Sequence, residues 1–291
     1  MRCEQEIKKL IIDKAIADER IRAVLLNGSR ANSKILPDKY QDFDIVYIVD
    51  ELASFTANHN WTNIFGEKIT WQLPDEMGTA QKEENENYSF HYLILFTDGN
   101  RIDLTLFAKD KIETSFHWDS LTIVWLDKDN IFLNIKEPSD LDYLVKKPTA
   151  KEFADTCNEF WWVSTYVAKG LLRNEITYSK EILETVVRPM FMKIIEWFIG
   201  TETNFSIAFG KGGKFMQNYL PAALYQKILS TYSNHEAENN WKALFAMTEL
   251  FGQLALVVAE KLHFQYNLDE EKNVKEWLVK SFEGWKQLIK N

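Results

Sequence analysis

The sequence predicts an α+β protein: an N-terminal mixed sheet with helices, over residues 1–147, followed by an all-helical domain over residues 148–291. Three observations lead there. Short apolar runs bounded by turn residues dominate the first half, helical periods dominate the second, and Lys146-Lys147-Pro148-Thr149 marks the change between them. Pro148 disfavours helix in the residue before it, and Thr149 can cap the helix beyond it.

In the first half, Ile7, Leu10, Ile11 and Ala15 recur at helical spacing over Ile7–Arg20. Ala23–Leu26 is a short buried strand running into Asn27-Gly28-Ser29, and Asp42–Val49 is a second strand. His91–Phe96 and Arg101–Phe107 are two more, joined by the hairpin turn Thr97-Asp98-Gly99-Asn100, and Leu121–Leu126 is a fifth. In the second half, the spacing predicts helices over Lys151–Leu172, Ser179–Ile199, Ala222–Thr231, Glu236–Leu262 and Lys272–Lys290.

The bulk numbers narrow the function. At 291 residues, with 46% hydrophobic and 26% charged residues, the chain is long enough for one large or two ordinary folded domains. A net charge of −9 and the absence of a Lys/Arg-rich run argue against nucleic acid as a partner. An acidic surface suits a cationic small molecule, although solubility alone explains many acidic enzymes. Cys3 and Cys157 do not make a disulfide framework, Met1–Leu10 carries four charged side chains beyond Arg2, and no apolar stretch approaches a membrane span. The expected location is the cytoplasm, with no membrane partner. The five histidines show no zinc-ligand spacing.

The chemistry concentrates in Asn27-Gly28-Ser29-Arg30-Ala31 and Asp42-Phe43-Asp44. Glycine lets the backbone come close to a bound group, and a helix beginning after it would favour a triphosphate. Ser29 adds a hydroxyl donor, and Arg30 is either a phosphate clamp or a surface ion pair. On a strand, residues i and i+2 face the same way, so Asp42 and Asp44 stand side by side and repel unless a cation sits between them. Mg²⁺, held by carboxylates and phosphates, meets that need. In Arg101–Leu106 the apolar Ile102, Leu104 and Leu106 take one face and leave Asp103 on the other. Three converging acids can hold two metals. Taken singly, a Gly-Ser turn or an Asp-x-Asp pair is usually just a turn or a solvated edge; together, in this order, they point to a site.

These residues resemble the signature of the polymerase-β-like nucleotidyltransferases and, more narrowly, the aminoglycoside 6-adenylyltransferases. The likeness is carried by Asn27–Asn32, Trp71–Met77, Arg101–Thr105, Asn158–Ser164 and Gly210–Lys214. It implies transfer of AMP from ATP to an aminoglycoside hydroxyl, with streptomycin and its position 6 as the expected acceptor and two Mg²⁺ ions as cofactors. Asp42, Asp44 and Asp103 are then the metal ligands, with Asp103 also the candidate general base. Gly28, Ser29, Arg30, Lys211 and Lys214 are the expected nucleotide-binding residues. Lys211 and Lys214 sit on a glycine-rich stretch that composition alone would leave as a linker. Phe160, Val163 and Val167 share one helix face, and Glu159, Trp162 and Tyr166 share another, read either as a lining for a cationic sugar-like acceptor or as a second packing face. An acidic groove between the halves is the expected acceptor position. The rivals are a nucleotidyltransferase with another small-molecule or protein acceptor, and a non-catalytic binding module on the same fold.

Overall fold

The structure is a computed structural model that describes residues 1–78 and 88–290. It divides into two compact units, Met1–Asp142 and Tyr143–Asn291. The division falls before the sequence-based boundary at residue 147. Leu144 forms an isolated bridge with Ala208, and Val145 packs into the helical core, so the stretch leading to Pro148 belongs with the helices.

The first unit begins with helix α1 (Glu4–Ala17), whose Ile7, Ile11 and Ala15 are fully buried. The strands are β1 (Ile21–Asn27), β2 (Phe43–Val49), β3 (Lys68–Gln72), β4 (Ser89–Phe96), β5 (Arg101–Ala108) and β6 (Ile123–Asp127). Two single-turn helices, α2 (Ala53–Thr56) and α3 (Ile112–Ser115), lie in the connections. The six strands form one sheet in the order β3-β4-β5-β2-β1-β6, in which β2 and β5 are parallel and the other neighbours antiparallel. This is the mixed sheet the sequence predicts. Strand β3 was not expected, because Lys68–Gln72 sits at the sheet edge and is largely exposed, so no apolar alternation marks it.

Alternation gives the sheet two different faces. Val24, Leu26, Phe43, Ile45, Tyr47, Tyr92, Ile102, Leu104 and Leu106 build the larger core against α1. The opposite face carries a smaller apolar group of Ala23, Leu25, Val46, Ile48, Phe107 and Phe132. The Tyr47 hydroxyl crosses the larger core to donate to the Ile11 carbonyl at 2.7 Å, which satisfies the one polar atom that ring carries inward.

The second unit is helical: α4 (Ala150–Leu172), α5 (Ile176–Ile182), α6 (Arg188–Glu202), α7 (Ala222–Leu229), α8 (Ala237–Leu262) and α9 (Leu268–Leu288). Thr149 caps α4 with Glu152 completing a capping box, as the sequence suggests. The single helix expected over Ser179–Ile199 is instead α5 and α6 joined by a π-helical turn, Leu183–Val187. Pro189, in the first turn of α6, has no amide proton to donate, and the widened turn absorbs the break. Helix α8 is, by length and composition, apolar enough to cross a membrane, which corrects the expectation that no such stretch exists. Its apolar side chains fill the core of the unit: Phe251 stacks on Phe160 with ring centroids 3.6 Å apart, and Leu244, Met247 and Val258 are fully buried.

Candidate active site

The parallel pairing of β2 with β5 places Asp44 directly opposite Asp103. Their neighbours Phe43, Ile45, Ile102 and Leu104 enter the larger core, so both carboxylates project from the other face. The row continues to Asn27 on β1, the register partner of Asp44, whose side-chain oxygen accepts a 2.9 Å bond from the Thr122 hydroxyl. Asp42, two residues before Asp44, reaches the same place. The electrostatics show the crowding. Burial first, then the charges of Asp103 and Asp42, push the Asp44 carboxyl up to about 6.

Gly28 closes the site from the end of β1. Its φ is +73°, and a Cβ there would fall 2.2 Å from a carboxylate oxygen of Asp44. Only glycine fits, because the strand end turns in a left-handed conformation directly against that acid. The helix expected after Gly28-Ser29 is a single 3₁₀ turn, Gly28–Ala31, too short to contribute a useful dipole. Anion binding there would rest on Ser29 and on backbone amides.

Arg101, which sequence reasoning passed over, stands two residues before Asp103 on the same strand face. Its Nε and Nη2 both donate to Asp103, each at 2.7 Å, and its Nη1 lies 3.7 Å from Asp42. Among the described residues no three His, Cys, Asp or Glu side chains already form a ready cation cage. The donor set still suits a hard divalent cation: the oxygens are carboxylates, and burial together with the charges of Asp103 and Asp42 raises Asp44 despite the opposing charge of Arg101.

Comparison over the whole chain shows the family. Residues 1–281 fit the family described as streptomycin adenylyltransferase. The chain belongs to that family. An aminoglycoside 6-adenylyltransferase of Bacillus subtilis (strain 168) is 44% identical over 268 residues, covering 91% of this chain and 93% of that protein. One from Campylobacter jejuni is 40% identical over 272 residues, covering 94% and 93%. A crystal structure of an aminoglycoside 6-adenyltransferase from Bacillus subtilis has 38% sequence identity, covers 97% of this chain and 99% of its own, and has a TM-score of 0.47. The resemblance read from the motifs is borne out.

The other expected site residues of this family member fall into two groups. In the first unit, Arg30 has an occupation different from the phosphate contact considered for it. Its Nε donates to the Asp42 carbonyl at 3.0 Å, its Nη2 to the Gln41 carbonyl at 2.7 Å and its Nη1 to Glu4 at 2.9 Å, with the guanidinium 3.8 Å above the Phe43 ring. It braces the approach to Asp42 and is almost fully covered, its side chain 6% exposed. A second feature missed from sequence is Asp75, whose carboxylate accepts from the backbone amide of His91 at 2.5 Å and meets its ring at 2.9 Å. His91 sits opposite Thr105, one step along the site face from Asp103. Beside Thr122 opens a cavity of about 750 Å³ lined by Trp118, Asp119, Phe132, Glu137 and Asp142 among others. Asp119 is close enough to add to the upward push on Asp44.

Lys211 and Lys214 lie in the second unit, on a turn where Gly210, Gly212 and Gly213 all have positive φ. Both lysines are exposed. Glu159, Trp162 and Tyr166 lie on α4, on a face beside the buried Phe160, Val163 and Val167. Trp162 is 60% exposed, and its Nε1 donates to the Tyr166 hydroxyl at 2.8 Å. Tyr166 is half-buried and packs against the helical core, whereas Glu159 and Trp162 are exposed.

Proposed function

We propose that the chain transfers AMP from ATP to a hydroxyl of an aminoglycoside, releasing pyrophosphate and so conferring resistance, with streptomycin modified at position 6 as the expected case. The observation that carries this reading is the placement of Asp44 opposite Asp103, against Gly28 and beside Asp42. Membership of the streptomycin adenylyltransferase family and the names of the relatives support the acceptor class.

In this reading Asp42, Asp44 and Asp103 would hold two Mg²⁺ ions, which supply Lewis acidity and charge neutralisation when bound. Asp103 takes the proton of the acceptor hydroxyl as its oxygen bonds to the α-phosphorus, and the bond to pyrophosphate breaks on the opposite side. Ser29, with the backbone freed by Gly28, orients the triphosphate; Arg30 acts at one remove by fixing the segment that carries Asp42. Lys211 and Lys214 are assigned to phosphate contact, and Glu159, Trp162 and Tyr166 to the acceptor. The carboxylates of Asp119, Glu137 and Asp142 around the cavity add to the case for a cationic acceptor. The reaction is placed in the cytoplasm, where ATP is at hand.

The test is incubation of the protein with ATP, Mg²⁺ and a panel of aminoglycosides that includes streptomycin, read by product mass. One added adenylyl group on streptomycin is the expected result. No adduct on any panel member, with ATP binding intact, sinks the activity. Asp42→Asn is expected to abolish Mg²⁺-dependent pyrophosphate release, and retained turnover in that variant removes the metal role.

A further inference from the structure

The geometry points to Arg101 as the resident counter-ion of the acid cluster: it holds Asp103 while the site is empty, must release it before the carboxylates take a divalent cation, and then turns to the incoming phosphates. The inference rests on the metal reading of the proposed function and adds to it a residue that sets when the metal enters.

Three facts lead there. First, the contact is a fork. Nε and Nη2 donate one to each oxygen of Asp103, both at 2.7 Å, while Nη1 lies 3.7 Å from Asp42. A planar guanidinium paired side-on with a carboxylate takes one lone pair on each oxygen and brings a positive charge against the side a metal would approach. Secondly, the contact is built to be exchanged. The Arg101 side chain is 43% exposed and that of Asp103 22%, so water reaches both partners and can take over their hydrogen bonds when the pair opens. Compare Asp98, where Arg2 makes the same kind of pair but the acid also accepts from the amides of Arg2 and Asn100 and from the Asn100 side chain. That second pair is locked, and the first is not. Thirdly, Arg101 and Asp103 are two residues apart on one strand, so an arginine that lets go of Asp103 stays on the face of the acids. The triphosphate that comes with the cation is the anion best suited to receive it, since a guanidinium binds phosphate oxygens as it binds carboxylate.

The consequence is a site that resists bare metal and accepts metal together with nucleotide. Mn²⁺ is the probe, because its binding is read directly by electron paramagnetic resonance of the free ion, without turnover. In nucleotide-free protein, Arg101→Gln is expected to bind Mn²⁺ ~10-fold more tightly than wild type, the size of effect that one neighbouring charge has on a carboxylate. Arg101→Lys keeps the charge and loses the fork, so its affinity is expected to fall between the two. With a non-hydrolysable α,β-methylene ATP present, the advantage of Arg101→Gln is expected to vanish or reverse, because the variant has no charged side chain to offer the phosphates. Near-ultraviolet circular dichroism checks the fold of each variant, and Arg101→Lys alone decides the matter if the glutamine variant does not fold.

Equal or weaker Mn²⁺ binding by the folded variants without nucleotide overturns the inference. So does an advantage that persists unchanged with the nucleotide analogue. Failure of the proposed acceptor chemistry looks different: no adenylylated product, with the Mn²⁺ affinities ordered as expected.

Discussion

The two units carry their candidate functional side chains in different ways. In the sheet unit, Asp44 is fixed from three sides: by its place in β2, by Asp103 across the ladder, and by Gly28, where an added Cβ would fall 2.2 Å from its carboxylate. In the helical unit, Glu159 and Trp162 stand exposed on α4, and the Trp162 ring is tied to Tyr166, one turn away. A strand register leaves an acid nowhere else to go, whereas a helix face leaves a ring free to adjust. The first arrangement suits bond-making, where small displacements matter, and the second suits grip on an acceptor.

This contrast can be broken by substitution. Gly28→Ala is expected to lower kcat by ~10²-fold and to destabilise the protein by ~2–4 kcal/mol, because the methyl meets Asp44 and the left-handed backbone penalises any side chain. The matching change in the other unit, Gly212→Ala, also sits at positive φ, but nothing lies within 4 Å of its Cβ, so only ~1 kcal/mol and no loss of kcat are expected. Steady-state kinetics and thermal melts on the pair check this; equal effects on kcat would erase the distinction. Next in size, Trp162→Ala is expected to raise the acceptor KM by ~10-fold, with kcat and melting temperature nearly unchanged. A fall in kcat with KM constant would move Trp162 into the chemistry.

A further contrast concerns charge. Asp44 is raised from 3.8 to about 6 in the folded protein, so its ionised form is disfavoured by folding. The stability it contributes is fully present below about pH 4, the unfolded value, and is lost as pH rises through about 6. In chelator-treated protein, Asp44→Asn should therefore be more stable than wild type above pH 6, by up to ~3 kcal/mol, and the gap should close below pH 4. A gap in thermal melts that does not vary with pH would show that neither burial nor the neighbouring acids raise Asp44.

Much of the sheet unit was legible because its signals are local. The Asp-x-Asp spacing fixes a shared face, and Thr97–Asn100 announces its own hairpin. The pairing of Arg101 with Asp103 was equally readable, since i and i+2 on a strand are neighbours, but a lone acid in an apolar strand stands out more than the arginine at its edge. Arg30 was not readable. Its partners are carbonyl oxygens at 41 and 42, and no side-chain pattern encodes where a loop carbonyl will point. Strand β3 escaped for the opposite reason: an edge strand with exposed side chains carries no apolar alternation. In the helical unit, α4 and its cap could be read from Thr149 and Glu152, whereas the π turn before Pro189 reflects how one residue is accommodated in a packed bundle.

The side-by-side running of β2 and β5 also governs when the proposed centre comes into being. A hairpin could have joined its two acids almost as soon as they left the ribosome. A parallel pair cannot, for the chain must first travel out and back before residue 103 can settle beside residue 44. On the proposed reading, unfinished or clipped copies that end short of β5 lack Asp103 and with it the full set of acids that would hold the cations.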